Sequence, residues 1–348
     1  MIADGFLVVD KPPGVTSHDI VAVVRAVTGF QKVGHTGTLD PFATGVLPLA
    51  LGGATRLISF LDESQKVYDA NVVLGIQTDT GDPTGTTTAE APVPTLRSSE
   101  VERVLARFVG DREQVPPRYS AVKVKGKPLY AYARAGKEVE VRARTIHIFG
   151  MELLGLGPAT IRVRIRCSRG TYARVLAEEI GAELGTVAHL GELRREASGS
   201  FTLEQAVSMS RLGTIVGGSP EWVHVLRPSR GEERVEWRER SEILAGLQPW
   251  LLDAPRMLAH LQSFTLSPIE ARRFVTAGLL PPAIAGNSQP VLLLDGREVL
   301  GVAAPGQRPV VLARESEPAP RPVPAARRQA ASTAAQPERS LDDEPASE

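Results

Sequence analysis

The fifteen residues Gly34-His35-Thr36-Gly37-Thr38-Leu39-Asp40-Pro41-Phe42-Ala43-Thr44-Gly45-Val46-Leu47-Pro48 place the tightest limit on the fold. Gly and Pro interrupt this run too often for a helix or a central strand, so it reads as a shaped loop held by its neighbours. It carries one carboxylate, Asp40, directly before a proline, with the imidazole of His35 and three threonines, Thr36, Thr38 and Thr44, each beside a glycine. From spacing alone Asp40 can serve as a nucleophile, a general base or an electrostatic group. An Asp-Pro pair opens turns equally well, and a loop histidine or threonine can simply hydrogen-bond its own turn.

The flanking patterns supply the scaffold. Phe6 to Asp10 reads as a buried strand, and Lys11-Pro12-Pro13-Gly14 turns the chain. Thr16 or Ser17 can cap a helix whose apolar stripe is Ile20, Val21, Val23, Val24 and Val27 and whose end is Gly29. Thr55 to Asp62 is a short helical pattern, and Val67 to Gly75 is strand-like and holds Tyr68. Ser99 and Glu102 have capping-box spacing ahead of Val104, Leu105 and Phe108. Ile161, Val163, Ile165 and Cys167 alternate with Arg162, Arg164 and Arg166, which predicts a half-buried strand with a basic outer face. Gly170 breaks it, and Tyr172 to Leu184 resumes a helical period. Strands with intervening helices indicate an α+β or mixed α/β catalytic region over 1–210. A connector or insertion with a charged helical piece, Arg230 to Glu242, occupies 211–250. A small α+β module covers 251–314: Pro268 opens a helix that Gly278 closes, and Asp295-Gly296 turns a hairpin. The stretch 315–348, rich in Ala, Pro and Ser, lacks an apolar period and is expected to be disordered.

Several chemistries find no support. The single cysteine, Cys167, leaves no intramolecular disulfide and no Cys-x-x-Cys zinc site. The six histidines show no His-Glu-x-x-His spacing, and neither a dinucleotide nor a P-loop glycine pattern occurs. No apolar run reaches the ~18 residues of a membrane span. A reducing, cytoplasmic location is the expectation, with neither signal peptide nor membrane partner. Formal net charge is zero, yet Arg118 to Arg144 holds eight basic residues against two acids, with Tyr119, Tyr130 and Tyr132 among them. Arg162 to Arg174 adds five arginines and no acid. Basic residues interleaved with aromatics suit a phosphate backbone and stackable bases; the plain alternative is a solvated charged surface.

Five motifs in order carry a resemblance: Asp10-Lys11-Pro12-Pro13-Gly14-Val15-Thr16-Ser17, the Asp40 run, Lys66-Val67-Tyr68, Pro116-Pro117-Arg118-Tyr119-Ser120-Ala121-Val122-Lys123, and Cys167-Ser168-Arg169-Gly170-Thr171-Tyr172-Ala173-Arg174. With His189 and Leu193-Arg194-Arg195, residues 5 to 207 resemble the bacterial tRNA pseudouridine synthase B family. The 251–314 module looks like the PUA-type RNA-binding domain of that family, more weakly. The fold implied is α+β: a pseudouridine-synthase-type mixed sheet with flanking helices, plus a small PUA-like α+β or β-barrel module.

The resemblance implies isomerisation of uridine 55 in the T-loop of tRNA, by a monomer and without a cofactor. Asp40 would be the nucleophile and Arg174 its ion-pair partner, with Tyr68 stacking on the flipped uracil and placed to share in the last proton removal. Among substrate-binding residues, Tyr172 would shape the pocket, Leu193 close its apolar wall, His35 enter the T-loop, and Lys11 buttress the floor beside Pro12. Either the Arg162-Arg164-Arg166 face or the Arg118–Arg144 segment would contact the RNA backbone. Two other readings stay open: an RNA-binding or RNA-folding protein without chemistry, and a synthase for another RNA.

Overall fold

In the computed structural model, residues 5–217 and 238–312 are described. The main sheet is built around the strand Gly5–Lys11, whose side chains alternate between two apolar environments. Leu7 and Val9 face a helical layer, whereas Phe6 and Val8 join Val46, Ala50, Phe201, Leu292 and Val302 on the opposite side. Burial on both faces is why Gly5–Lys11 reads as a continuous apolar run rather than an alternating one.

Among the described residues the strand order from edge to edge is Ala206–Ser208, Gly5–Lys11, Thr44–Leu51, Ala188–Ser198, Gln65–Leu74, Thr160–Ser168, Arg144–Leu156 and Gly110–Gln114. Two of these neighbour pairs are parallel and the rest antiparallel, so the sheet is mixed. Helices Ser17–Thr28, Ser98–Ala106 and Ala173–Glu183 cover one face through Ile20, Val24, Val101, Leu105, Leu176 and Ile180. The Ile161, Val163, Ile165 and Cys167 side of its strand points into this layer, as its alternation requires.

Local signals explain most ends. Thr16 caps the first helix by accepting from the Asp19 N–H, the Asp19 carboxylate returns to Thr16, and Gly29 closes the helix with φ 70°. Pro268–Ala277 ends at Gly278, φ 65°, and Val291–Asp295 pairs with Glu298–Ala303 across Gly296. The short pattern at 55–62 is a 3-10 helix, Gly52–Phe60. Of the charged piece at 230–242, residues up to 237 lie outside the described residues, as does the 315–348 tail; Arg240–Leu247 is helical.

Two expectations are corrected. The helix at 98 starts before the Ser99–Glu102 pair, because Glu100 reaches back three residues to the Arg97 N–H at 3.0 Å. The second half of the Gly-rich run is an interior strand, Thr44–Leu51, despite Gly45 and Pro48. Pro48 is tolerated where the strand changes partner: Arg194 and Arg195 pair with Thr44 and Gly45, while Val33–His35 pairs with Leu49 to Leu51. Gly45 takes φ 100°, and a Cβ there would lie 2.2 Å from the Arg195 carbonyl oxygen. A glycine is thus required where these two central strands pair in parallel.

Candidate active site

The first half of the run, Thr36 to Ala43, is the loop its composition predicts, and it is fastened at nearly every residue. Thr36 N–H donates to the Pro48 carbonyl at 3.1 Å, and Leu39 N–H to Ser17 Oγ at 2.9 Å. Fully buried Lys11 donates through Nζ to the carbonyls of Pro12 and Pro41, at 2.9 and 3.1 Å. Arg195, 1% exposed, donates from beneath to the carbonyls of Val46, Gly37 and Thr38 at 2.7, 3.1 and 3.4 Å. These bonds leave the loop little freedom, so the Asp40 carboxylate is aimed by the scaffold rather than by its own turn.

Asp40 opens into a cavity of about 500 Å³. The Arg174 Nε atom lies 3.0 Å from Asp40 Oδ2, and its Nη2 donates to Oδ1 at 3.4 Å. Arg174 comes from the first turn of Ala173–Glu183 and is 3% exposed. Its guanidinium also donates to the carbonyls of Thr80 and Tyr119, at 2.9 and 2.8 Å. Asp82 Oδ2 sits 3.6 Å from Arg174 Nη1. Asp82 is itself held by the Thr80 hydroxyl and by Thr84 N–H, at 2.9 and 3.0 Å. One guanidinium therefore stands between two carboxylates, one facing the cavity and one behind.

The balance of forces on Asp40 decides its state. Its side chain keeps 34% of its surface open, but loss of water around the rest raises its proton affinity above that of an ordinary aspartate. Arg174 opposes this shift, Asp82 adds to it, and Lys11 opposes it more weakly. Burial wins over the ion pair. Desolvation also pushes the Lys11 ammonium down to about 8, against the pull of Asp40.

The cavity brings together most of the residues singled out in the sequence. Asp40, Tyr68, Tyr172, Arg174 and Leu193 all line it. Tyr68 is half-buried, and burial keeps its phenol protonated above the usual range. Tyr172 is gripped at its backbone by Gln114, whose carboxamide accepts from its N–H at 2.8 Å and donates to its carbonyl at 3.2 Å. Two residues are placed elsewhere. Lys11 lies under the loop rather than on the cavity wall. His35 precedes the wall residue Thr36, edge-on to His18 at 5.4 Å between ring centroids. Burial, then the neighbouring His18, holds the His35 ring below its usual pKa.

Three contributors escape a reading of the sequence. Arg195 and Lys66 stand there only as members of motifs, and Asp82 not at all. The surroundings of Asp82, Thr78-Asp79-Thr80-Gly81-Asp82-Pro83-Thr84-Gly85, have the same density of turn residues as the Asp40 loop, which is the available signal. Lys66 donates to Ser198 Oγ at 2.6 Å, and its ammonium lies 3.4 Å from Glu63. The two basic stretches also part company. Arg162 is paired with Asp69, and Arg164 with Glu196 and Glu152, on the sheet face that does not carry Tyr68. On the 123–128 ribbon, Lys123, Lys125 and Lys127 are all exposed. The ribbon continues from the wall residues Ser120 to Val122.

Residues 25–173 match the N-terminal domain of TruB family pseudouridylate synthase, and residues 174–219 match the tRNA pseudouridylate synthase B C-terminal domain. The tRNA pseudouridine synthase B of Geobacter sulfurreducens is 49% identical over 209 residues, 60% of this chain and 69% of that protein. The chain belongs to the TruB family of pseudouridylate synthases. This TruB-family chain is an isomerase that forms pseudouridine. The tRNA pseudouridine synthase B of Aromatoleum aromaticum is 50% identical over 211 residues, 61% of this chain and 68% of that protein. In a Cbf5–Nop10–Gar1 complex, one chain superposes with TM-score 0.61 at 25% identity, covering 86% of the TruB-family chain and 78% of its own. A chain of an H/ACA RNP bound to a substrate RNA containing 2'-deoxyuridine shares the fold, with TM-score 0.59, 24% identity, and 88% and 83% of the two chains covered.

Proposed function

We propose that this enzyme converts uridine 55 in the T-loop of tRNA to pseudouridine, with Asp40 as nucleophile. The observation that carries the reading is the buried Arg174 guanidinium set between Asp40 and Asp82, on the wall of a cavity that Tyr68 and Leu193 also line. A uridine within a folded loop must leave the stack before its glycosidic bond can be reached, and a cavity of about 500 Å³ has room for one nucleoside. The substrate class follows the relatives named tRNA pseudouridine synthase B.

In this reading the ionised Asp40 attacks either the sugar C1′ or the uracil ring. The N1–C1′ bond breaks with its electron pair leaving on the base. The freed uracil turns, its C5 bonds to C1′, Asp40 is released, and the C5 proton is removed while N1 takes up a proton, so the proton count is unchanged. Every atom of the substrate is retained and nothing is oxidised, so the chemistry calls for no cofactor. Arg174 holds Asp40 in line and favours its charged form against the surrounding desolvation. Tyr68 stacks on the flipped base and, as a residue of the cavity wall, is placed to share in removing the C5 proton. Tyr172 and Leu193 shape the walls, neutral His35 enters the loop left by the flipped base, and Lys11 sets the height of the Asp40 loop through Pro41.

Recognition then rests on loop shape and stacking, with phosphates met by the exposed lysines of the 123–128 ribbon. The 251–314 module serves as a PUA-like RNA-binding domain, and the enzyme acts as a cytoplasmic monomer. The test is position-resolved pseudouridine mapping of tRNA treated with wild-type protein or with Asp40→Asn. Modification at position 55 by the wild type alone is the expected result. Modification elsewhere, or by the variant, overturns the assignment.

A further inference from the structure

The cavity wall holds a hydroxyl that the reaction outlined above does not use. Ser120 is 5% exposed, it lines the cavity, and its Oγ has no hydrogen-bond partner among the described residues. Buried hydroxyls in folded proteins are nearly always bonded, because a hydrogen bond to water given up on burial must be replaced. A serine that only filled space could turn its Oγ to a nearby carbonyl.

The backbone around Ser120 is tightly held. Tyr119 gives its carbonyl to Arg174 Nη2 at 2.8 Å, and the Ser120 carbonyl accepts from the Tyr130 N–H at 3.1 Å. The next turn is closed by Leu129 N–H on the Val122 carbonyl, at 2.8 Å. The main chain on both sides of Ser120 is thus pinned, and the side chain is left on the wall one residue from the Tyr119 carbonyl that grips Arg174.

We infer that Ser120 is a substrate-binding residue whose hydroxyl hydrogen-bonds a polar group of the flipped nucleoside. This rests on the reading of a uridine in tRNA as substrate. A serine hydroxyl both donates and accepts, which matches the oxygen and N–H edge of uracil and equally the ribose 2′-hydroxyl. The bond forms only once the nucleotide is in the cavity. It therefore bears on the rate of the bound complex, whereas overall RNA affinity is set mainly by phosphate contacts.

The experiment compares wild type and Ser120→Ala on an in vitro transcribed tRNA, measuring single-turnover rate at saturating enzyme, RNA dissociation constant, melting temperature and the pH profile of the rate. Loss of one neutral hydrogen bond is worth about a 2- to 10-fold fall in rate. The expected result is a fall of that size with dissociation constant and melting temperature unchanged and the acidic limb of the pH profile in place. A rate within experimental error of wild type overturns the inference. So does a shifted acidic limb, which would mean that Ser120 acts through Tyr119 and Arg174 on Asp40. A second transcript with 2′-deoxyuridine at the target names the partner: a defect that persists assigns the bond to the base, and one that disappears assigns it to the ribose. A wild-type enzyme inactive on the uridine transcript overturns the substrate reading itself, a result visible before any variant is compared.

Discussion

Asp40 occupies a position where two effects oppose each other. Arg174 favours its ionised form, yet burial and Asp82 favour the proton more strongly. A carboxylate nucleophile must be ionised, so the rate should fall as pH drops through this raised value, tenfold for each unit below it. We expect the acidic limb of single-turnover rate to lie above the ~3.9 of an unperturbed aspartate. The stability consequence has the opposite sense. A raised folded-state pKa stabilises the fold below the unfolded value and loses that contribution as pH rises through the folded one, so ionised Asp40 burdens the fold at neutral pH. Asp40→Asn should therefore cut the rate by roughly four orders of magnitude or more while RNA binding survives. Its melting temperature relative to wild type should be highest near neutral pH and should decline towards pH 4, as differential scanning calorimetry can follow. Arg174→Ala removes the group between two carboxylates and should cost about 3–5 kcal/mol in chemical denaturation as well as activity. Normal rates in that variant would sink the proposed pairing.

The element that matters most is the loop-to-strand unit of Thr36 to Leu51. Its loop is anchored by Lys11, Ser17 and Arg195, and its strand pairs in parallel with Ala188–Ser198 at Thr44 and Gly45. Gly45→Ala combines a positive φ with a 2.2 Å approach to the Arg195 carbonyl oxygen, and should destabilise by roughly 2–4 kcal/mol in urea unfolding. The ribbon Lys123-Val124 with Lys127-Pro128 is the complementary case, exposed and two residues to a strand. Replacing Lys123, Lys125 and Lys127 together by alanine should leave stability within ~0.5 kcal/mol. It should flatten the plot of log affinity against log salt by roughly 0.7–0.9 for each phosphate that is no longer neutralised. An unchanged slope would remove this ribbon from the RNA path.

At the scale of the molecule, the main sheet has three kinds of surface. Helices cover one face, the 291–303 hairpin packs on the other around Gly5–Lys11, and Arg162 and Arg164 occupy an ion-paired stretch open to solvent. Removing residues 315–348 should leave turnover within twofold of the full chain in a steady-state tRNA assay. A large loss would give that segment a working role.

Much of this was legible in the residues. Thr16, Asp19 and Gly29 bracket a helix, and Ile161 to Cys167 show which side of a strand is buried, because caps, turns and alternation act over a few residues. The motifs also pointed to Asp40, Tyr68 and Arg174. What only the tertiary structure decided was which charges meet. Asp40 and Arg174 are 134 residues apart, and Asp82 joins them from a third segment. Arg162, Arg164 and Arg174 look alike in sequence, yet the first two pair across an open sheet face while the third is buried between carboxylates. The same holds for Pro48, which sits in an interior strand because two partners meet at its side. Local patterns are set by neighbours within a helical turn or a strand pair. Ion pairing and proton affinity depend on what the fold brings alongside and how much water it removes, and no short stretch of sequence carries that information.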